Sequence, residues 1–262
     1  MTCIRWLEGG RKRVPVSVLN QWHAESVRAS FFVGAGWALR PIYGEFAGAP
    51  PSESVSRGTG QFMQETGTDG GMQITVTQQL GRVDVVVSGT ARDLATGFQP
   101  FGGIGPLKAA AERFDHLATG AAKCTGASTI RAAFAISALR ICSSLEEAAT
   151  FLKQLLPNIE IDPAVDTDLI FQINRPRQLE GVGRVNRLMK WDIVQTALLK
   201  VDPARLGTAN VSPQTLSTAV RAYIDISTDA TRTSPIESDG LLHLVKQLGE
   251  FGLEIADRGD VR

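Results

Sequence analysis

Two runs of alternating apolar and polar residues determine the fold class: Met72-Gln73-Ile74-Thr75-Val76-Thr77 and, after Gly81, Arg82-Val83-Asp84-Val85-Val86-Val87. Alternation with a period of two residues is typical of half-buried β-strands. The glycine between the runs favours a turn. The segment therefore predicts a β-hairpin between Gly71 and Gly89.

Further elements flank this hairpin on both sides. Apolar residues at helical spacing, or a typical helix start, predict helices over 106–122, 143–156 and 237–258. Residues rich in β-branched and apolar side chains predict strands over 26–33, 129–142, 168–174 and 218–227. The stretch 44–71, rich in Gly, Ser, Thr and Pro, is predicted to be a loop. The period of 185–199 fits either a strand or a short helix.

The order of these elements indicates the architecture. Most strands follow one another without a crossover helix, which favours an α+β fold. We expect a mixed or antiparallel sheet with helices packed mainly on one face. The chain is expected to form a single domain over 1–262. Strand-rich sequence is followed by a helix twice along the chain. This pattern leaves open two similar halves, 1–125 and 126–262, packed against each other.

The composition restricts the function classes. The 262 residues include 27 Lys and Arg and 27 Asp and Glu, so the net charge is zero. This balance argues against a protein that binds nucleic acid through a broad basic surface. Hydrophobic residues make up 43% of the chain, which excludes a disordered protein. Three cysteines at uneven spacing indicate ordinary thiols. The N-terminal residues lack a signal-peptide pattern and no long apolar run occurs, so we expect a cytoplasmic protein without a membrane partner.

The motifs of common catalytic sites are absent from the sequence. It has no phosphate-binding loop, no Rossmann fingerprint, no Gly-x-Ser-x-Gly and no Cys-x-x-Cys. Three carboxylates, Asp162, Asp166 and Asp168, are close enough in sequence to bind Mg²⁺ or Ca²⁺, although the sequence favours a solvated loop, since it lacks the glycine and the glutamate of a calcium-binding loop. We therefore expect no cofactor. The sequence favours a protein without catalytic activity but leaves an enzyme open.

The segment 168–192 is the clearest candidate for binding. Between Leu169 and Trp191 it carries five cations and one anion. Asn-Arg occurs twice, and a hairpin would bring the two copies together. Arginine offers a planar fork to carboxylate or phosphate, and a tryptophan ring offers a stacking face. The candidate binding residues are Asn174, Arg175, Arg177, Asn186, Arg187, Lys190 and Trp191.

A structural interpretation of the same residues stays open. Asn and Arg at strand ends often satisfy backbone groups or cover apolar surface, and Trp191 suits a protein core.

The same region carries a resemblance. Three segments, Phe171-Gln172-Ile173-Asn174-Arg175-Pro176-Arg177, Val185-Asn186-Arg187-Leu188-Met189-Lys190-Trp191 and Ile224-Asp225-Ile226-Ser227-Thr228, resemble a set of uncharacterised bacterial proteins of similar length and sporadic distribution. The resemblance implies a bacterial cytoplasmic protein without an established activity, and it supplies no catalytic residues. Sporadic distribution suggests an accessory role, such as phage defence or a mobile-element function.

Three functions follow as hypotheses. The first is a non-catalytic binding protein that recognises a nucleotide, a nucleic acid or an acidic protein face through the candidate residues. The second is a structural subunit that docks a protein partner or forms a homo-oligomer. The third is a metal-dependent phosphodiesterase or nuclease that uses Asp162, Asp166, Asp168 or Asp225, with arginines as phosphate clamps.

Overall fold

The computed structural model describes residues 17–58, 61–90, 102–166, 169–198 and 214–260. Up to residue 125 the elements are β1 (His23–Val33), α1 (Tyr43–Ala47), β2 (Glu53–Arg57), β3 (Phe62–Asp69), β4 (Met72–Gln79), β5 (Arg82–Gly89), β6 (Gly105–Pro106) and α2 (Leu107–Thr125). After it they are β7 (Thr129–Cys142), α3 (Leu145–Leu155), β8 (Ile170–Asn174), β9 (Arg177–Leu179), β10 (Gly183–Leu198), β11 (Gln214–Thr228) and α4 (Ser238–Arg258). Cys3 and Asp168 lie outside the described residues.

The described strands form one sheet. Its order is β2-β3-β4-β5-β1-β7-β11-β10-β8, with β6 paired to β1 and β9 to β10. The pairings are antiparallel, and the predicted hairpin is β4 with β5, where Val76 lies opposite Val85. The α+β class is confirmed, and the sheet is antiparallel rather than mixed.

The chain follows a similar path through the sheet before and after residue 125. In each part the first strand pairs with a later long strand: β1 with β5, and β7 with β11. The two first strands pair with each other at the centre of the sheet, with Val27 opposite Ile136. A long helix closes each part, and these two helices, α2 and α4, contact each other. Both parts share one sheet and one hydrophobic core.

The helices pack on one face of the sheet. Phe114 of α2 meets Phe134 of β7 edge-on, with ring centroids 5.8 Å apart. In α4, a Cβ built at Gly252 would lie 3.0 Å from the Ile136 side chain of the same strand, so glycine allows a closer approach here than most other residues would. Trp22 contacts Phe151 of α3 and donates its indole N–H to the Ala256 carbonyl of α4. Burial of apolar surface on this face is the main source of stability.

The predicted loop over 44–71 is wrong, because this stretch contains α1, β2 and β3. Two buried polar side chains hold its start on the sheet. Glu65 of β3 accepts hydrogen bonds from the backbone N–H groups of Ile42 (2.9 Å) and Tyr43 (3.1 Å) at the beginning of α1. Gln78 of β4 donates to the carbonyl of Arg40 (2.6 Å). These contacts join residues far apart in sequence, so local composition could not predict them.

The ambiguous stretch 185–199 lies largely in a strand. β10 extends over Gly183–Leu198 and pairs with β11 on one side and with β8 and β9 on the other. Central position in a sheet explains its unclear period, because both faces of a central strand are partly buried.

Candidate functional site

The structure brings the two Asn-Arg copies together. β8 and β9 pair with β10, and the backbone N–H of Arg175 donates to the carbonyl of Arg187 (3.0 Å). The Asn174 side chain accepts from the Arg187 backbone N–H (3.1 Å). Asn174 and Asn186 are 3.5 Å apart between amide nitrogen and oxygen. The asparagines therefore serve strand pairing at this point.

The arginines of this segment contact the end of α4. The guanidinium of Arg175 forms a two-pronged ion pair with Asp260. Arg177 lies over the Phe251 ring, 5.2 Å from its centroid, with Glu254 3.9 Å from its guanidinium. These contacts offset part of the local cation surplus that the sequence shows, and they hold the C-terminal helix on the sheet.

Arg187 and Trp191 point toward the helices. Arg187 is 3% exposed, donates to the Arg175 carbonyl (2.8 Å), and burial lowers the pKa of its guanidinium. Trp191 is fully buried and stacks on Phe171, with ring centroids 6.1 Å apart. Trp191 therefore offers no face to a ligand, because β10 directs its odd-numbered side chains into the core.

Lys190 belongs to an ion-pair cluster on the opposite face of the sheet. Its ammonium lies 3.5 Å from Asp192, which also accepts two hydrogen bonds from Arg221 (3.0 and 2.6 Å). On the same face Asp225 accepts from Arg28 (3.0 Å). Each of these cations therefore already contacts a carboxylate of the chain.

The aspartates proposed for a metal site do not converge within the described residues. Asp166 accepts from the backbone N–H of Asp162 (2.7 Å), and Asp162 accepts from that of Ala164 (3.0 Å). Asp225 forms an ion pair with Arg28 of β1. Among the described residues no three His, Cys, Asp or Glu side chains come close enough to hold a metal ion.

A different region of the described chain presents a groove of about 590 Å³ between α1 and α2. We call it the α1–α2 groove. It is lined by Arg40, Gly44, Glu45, Phe46, Gly48, His116, Thr119, Gly120, Lys123 and Cys124. The two helices approach closely because Gly120 has no side chain: a Cβ there would lie 2.3 Å from the Phe46 Cβ. The hydrogen bonds that Glu65 accepts from the start of α1 fix the position of that helix, which forms the other wall of the groove.

Three titratable groups in the α1–α2 groove interact directly. Glu45 forms an ion pair with Arg40, and the Cys124 thiol donates to Glu45 (3.2 Å). These two hydrogen bonds lower the pKa of Glu45. Desolvation, and then the adjacent Glu45 carboxylate, raise the pKa of the Cys124 thiol to about 11. The thiol is therefore protonated at neutral pH and is a weak nucleophile.

Two further basic side chains line the same groove. His116 and Lys123 are exposed, are seven residues apart on α2, and so lie on one side of the helix. Neither makes an ion pair with any of the residues that the structure describes. The charged side chains Arg40, Lys123 and Glu45 give the groove a net charge of +1.

Sequence reasoning missed the α1–α2 groove. Helical periodicity places His116, Gly120 and Lys123 on one side of α2, so part of one wall could have been found. The other wall comes from a stretch predicted as a loop, and the pairing of α1 with α2 depends on tertiary contacts.

No family model matches the chain, and no matching protein was found among the curated proteins or the solved structures. The resemblance to a sporadic bacterial family therefore stays an expectation. Within the described segments, no helix has both the length and the hydropathy that crossing a bilayer requires.

Proposed function

We propose that this chain is a non-catalytic binding protein and that the α1–α2 groove receives an anionic ligand. One observation carries the proposal: Lys123 and His116 line the groove without an ion-pair partner in the described chain, next to an arginine that Glu45 already neutralises. Lysine is a common point-charge ligand for phosphate and carboxylate. The cavity volume lies within the range of about 300–1,000 Å³ typical of small-molecule sites.

The chemistry of the groove supports binding rather than turnover. Its one thiol, Cys124, has a raised pKa and donates its hydrogen to Glu45, whereas a catalytic cysteine needs a lowered pKa and an adjacent base. The Arg40–Glu45 pair fixes two side chains in advance, so a ligand need not order them. An accessory role in a bacterial cytoplasm is the wider setting that the family resemblance suggests.

The proposed anion site differs from the segment 174–191 that the sequence favours. There Arg175 and Arg177 contact Asp260 and Glu254. An anion would have to displace these intramolecular carboxylates. In the α1–α2 groove, Lys123 and His116 need no such displacement.

The test is isothermal titration calorimetry with two defined anions, ADP and pyrophosphate. Wild-type protein is compared with Lys123→Gln and with Lys153→Gln. The control is matched because both lysines are exposed and lie in the last turn of a helix, where a cation favours the helix dipole. We expect saturable binding of at least one probe, weakened about 5- to 10-fold by Lys123→Gln alone, as for one lost charged contact.

Two results would overturn the proposal. One is the absence of saturable heat with either probe. The other is equal affinity of Lys123→Gln and Lys153→Gln for a probe that does bind. Native mass spectrometry of gently purified protein then identifies any anion that co-purifies with the chain.

A further inference from the structure

A second groove lies between α2 and α4. We call it the α2–α4 groove. It has a volume of about 240 Å³ and is lined by Ala111, Glu112, Asp115, Phe134, Lys246, Gly249, Glu250 and Leu253. Its floor is the Phe134 ring of the central strand β7. The groove thus lies where the helices that close the two parts of the chain meet.

Gly249 places no side chain beside this ring, and the packing of the chain does not require a glycine there. A Cβ at Gly249 would lie 3.5 Å from the Phe134 ring, which is ordinary van der Waals contact. One turn further on, a Cβ at Gly252 would lie 3.0 Å from Ile136, a tighter contact than Gly249 would make. Glycine is a poor residue for a helix interior. What Gly249 provides is a helix surface without a side chain beside the Phe134 ring, which is itself 4% exposed.

The rim of the α2–α4 groove is acidic. Glu112, Asp115 and Glu250 carry three negative charges against the one positive charge of Lys246, so the net charge is −2. All four side chains are exposed, and none forms an ion pair with another described residue. A small apolar pocket with an acidic rim is complementary to an apolar side chain between basic ones.

We propose that the α2–α4 groove docks a partner protein through one leucine- or phenylalanine-sized side chain flanked by arginine or lysine residues. The volume suits one such side chain, which would lie on Phe134 where Gly249 leaves space. The flanking cations would meet Glu112 and Glu250, one on each helix. The groove is independent of the anion site, since it shares no lining residue with the α1–α2 groove.

The test uses fluorescence anisotropy of a fluorescein-labelled heptapeptide whose central leucine is flanked on each side by an arginine and a lysine. A second peptide carries serine at the centre. The protein variants are Gly249→Leu, which fills the groove, the surface double variant Glu112→Gln/Glu250→Gln, and Gly240→Leu. Gly240 is the matched control because it is an exposed glycine of α4 outside the groove, with its nearest neighbour 3.9 Å from a built Cβ. A thermal melt of each variant checks that it folds.

We expect the wild-type protein to bind the leucine peptide saturably and the serine peptide about tenfold more weakly, as for a lost central anchor. Gly249→Leu should weaken binding of the leucine peptide by about tenfold or more, and the glutamine double variant by about threefold to tenfold. Gly240→Leu should leave the affinity unchanged. The double variant removes only exposed carboxylates, so it remains informative even if Gly249→Leu fails to fold.

Three outcomes would overturn the proposal. Equal affinity for the leucine and serine peptides would mean that charge alone, and not an apolar side chain in the groove, accounts for binding. Unchanged binding by both Gly249→Leu and the double variant, or no saturable binding at all, would exclude the groove. A dimer of the free protein in analytical ultracentrifugation that Gly249→Leu abolishes would identify a second copy as the occupant.

Discussion

Two grooves flank α2, and their charges are opposite. The α1–α2 groove has a net positive charge from Arg40 and Lys123, whereas the α2–α4 groove has a net negative charge. Glu112 and Asp115 line the α2–α4 groove, whereas His116 and Lys123, further along the same helix, line the α1–α2 groove. A charge-neutral chain thus presents two grooves of opposite net charge along one helix.

The glycines of the two grooves also differ. Packing requires Gly120, since α1 contacts α2 at that position. At Gly249, in contrast, there is room for a methyl group without an unusually close contact. A helix-interior glycine can therefore reflect either the fold or an open surface. The same substitution at both positions distinguishes the two cases.

Gly120→Ala should lower the free energy of unfolding by roughly 1–3 kcal/mol, the usual range for overpacking. The added Cβ would lie 2.3 Å from the Cβ of Phe46, and the root of a side chain cannot rotate away. Urea denaturation followed by circular dichroism measures the change. A wild-type or higher stability would show that α1 does not pack on α2 as described.

Gly249→Ala should raise the free energy of unfolding by about 0.5–1 kcal/mol, the difference between alanine and glycine inside a helix. The new methyl group would make ordinary contact with the Phe134 ring. The same denaturation experiment applies, with Gly252→Ala as control, since its Cβ would lie 3.0 Å from Ile136 and should give no such gain. Destabilisation by Gly249→Ala would mean that packing does require this glycine.

The rate at which the Cys124 thiol is alkylated reports on the charges around it in the α1–α2 groove. With its pKa raised from 9.0 to about 11, the thiol should react with iodoacetamide at pH 8 roughly 100-fold more slowly than an unperturbed cysteine. Glu45→Gln removes a neighbouring negative charge, so it should lower this pKa and speed alkylation. Peptide mapping by mass spectrometry measures the rate at this residue.

The raised pKa of Cys124 also determines how the stability of the fold depends on pH. Because the folded-state pKa is the higher one, folding retains the thiol proton, and the associated stability is complete below pH 9 and is lost as the pH rises toward about 11. Glu53→Gln, an exposed carboxylate on β2, is the control and should leave the alkylation rate unchanged. An unchanged rate in Glu45→Gln would show that Glu45 does not hold the thiol proton.

Much of the fold could be predicted from the sequence. Alternation in β4, β5 and β11 and the apolar stripes of α2 and α4 predicted these elements, because a strand repeats every two residues and a helix every 3.6. The stretch 44–71 could not be predicted, since α1 is held by Glu65 and Gln78 from other strands. Propensity is a weak guide where tertiary contacts determine the local structure.

The candidate site was harder to predict than the fold. The sequence shows a cluster of cations near Arg175 but not Asp260, which lies 85 residues away and forms an ion pair with it. Nor does it show that Trp191 faces the core, because the period of β10 is ambiguous. The grooves depend on which helix faces which, and no local pattern carries that information.

The amino-acid sequence alone specifies the class of this protein, its main strands and helices, and its neutral overall charge, since these depend on residue type and local spacing. Only the tertiary structure assigns partners: it uses the arginines near β8 to hold α4, buries Trp191, and leaves Lys123 and Gly249 facing open grooves. The physical reason is that ion pairing and packing act through space, between residues that the chain separates.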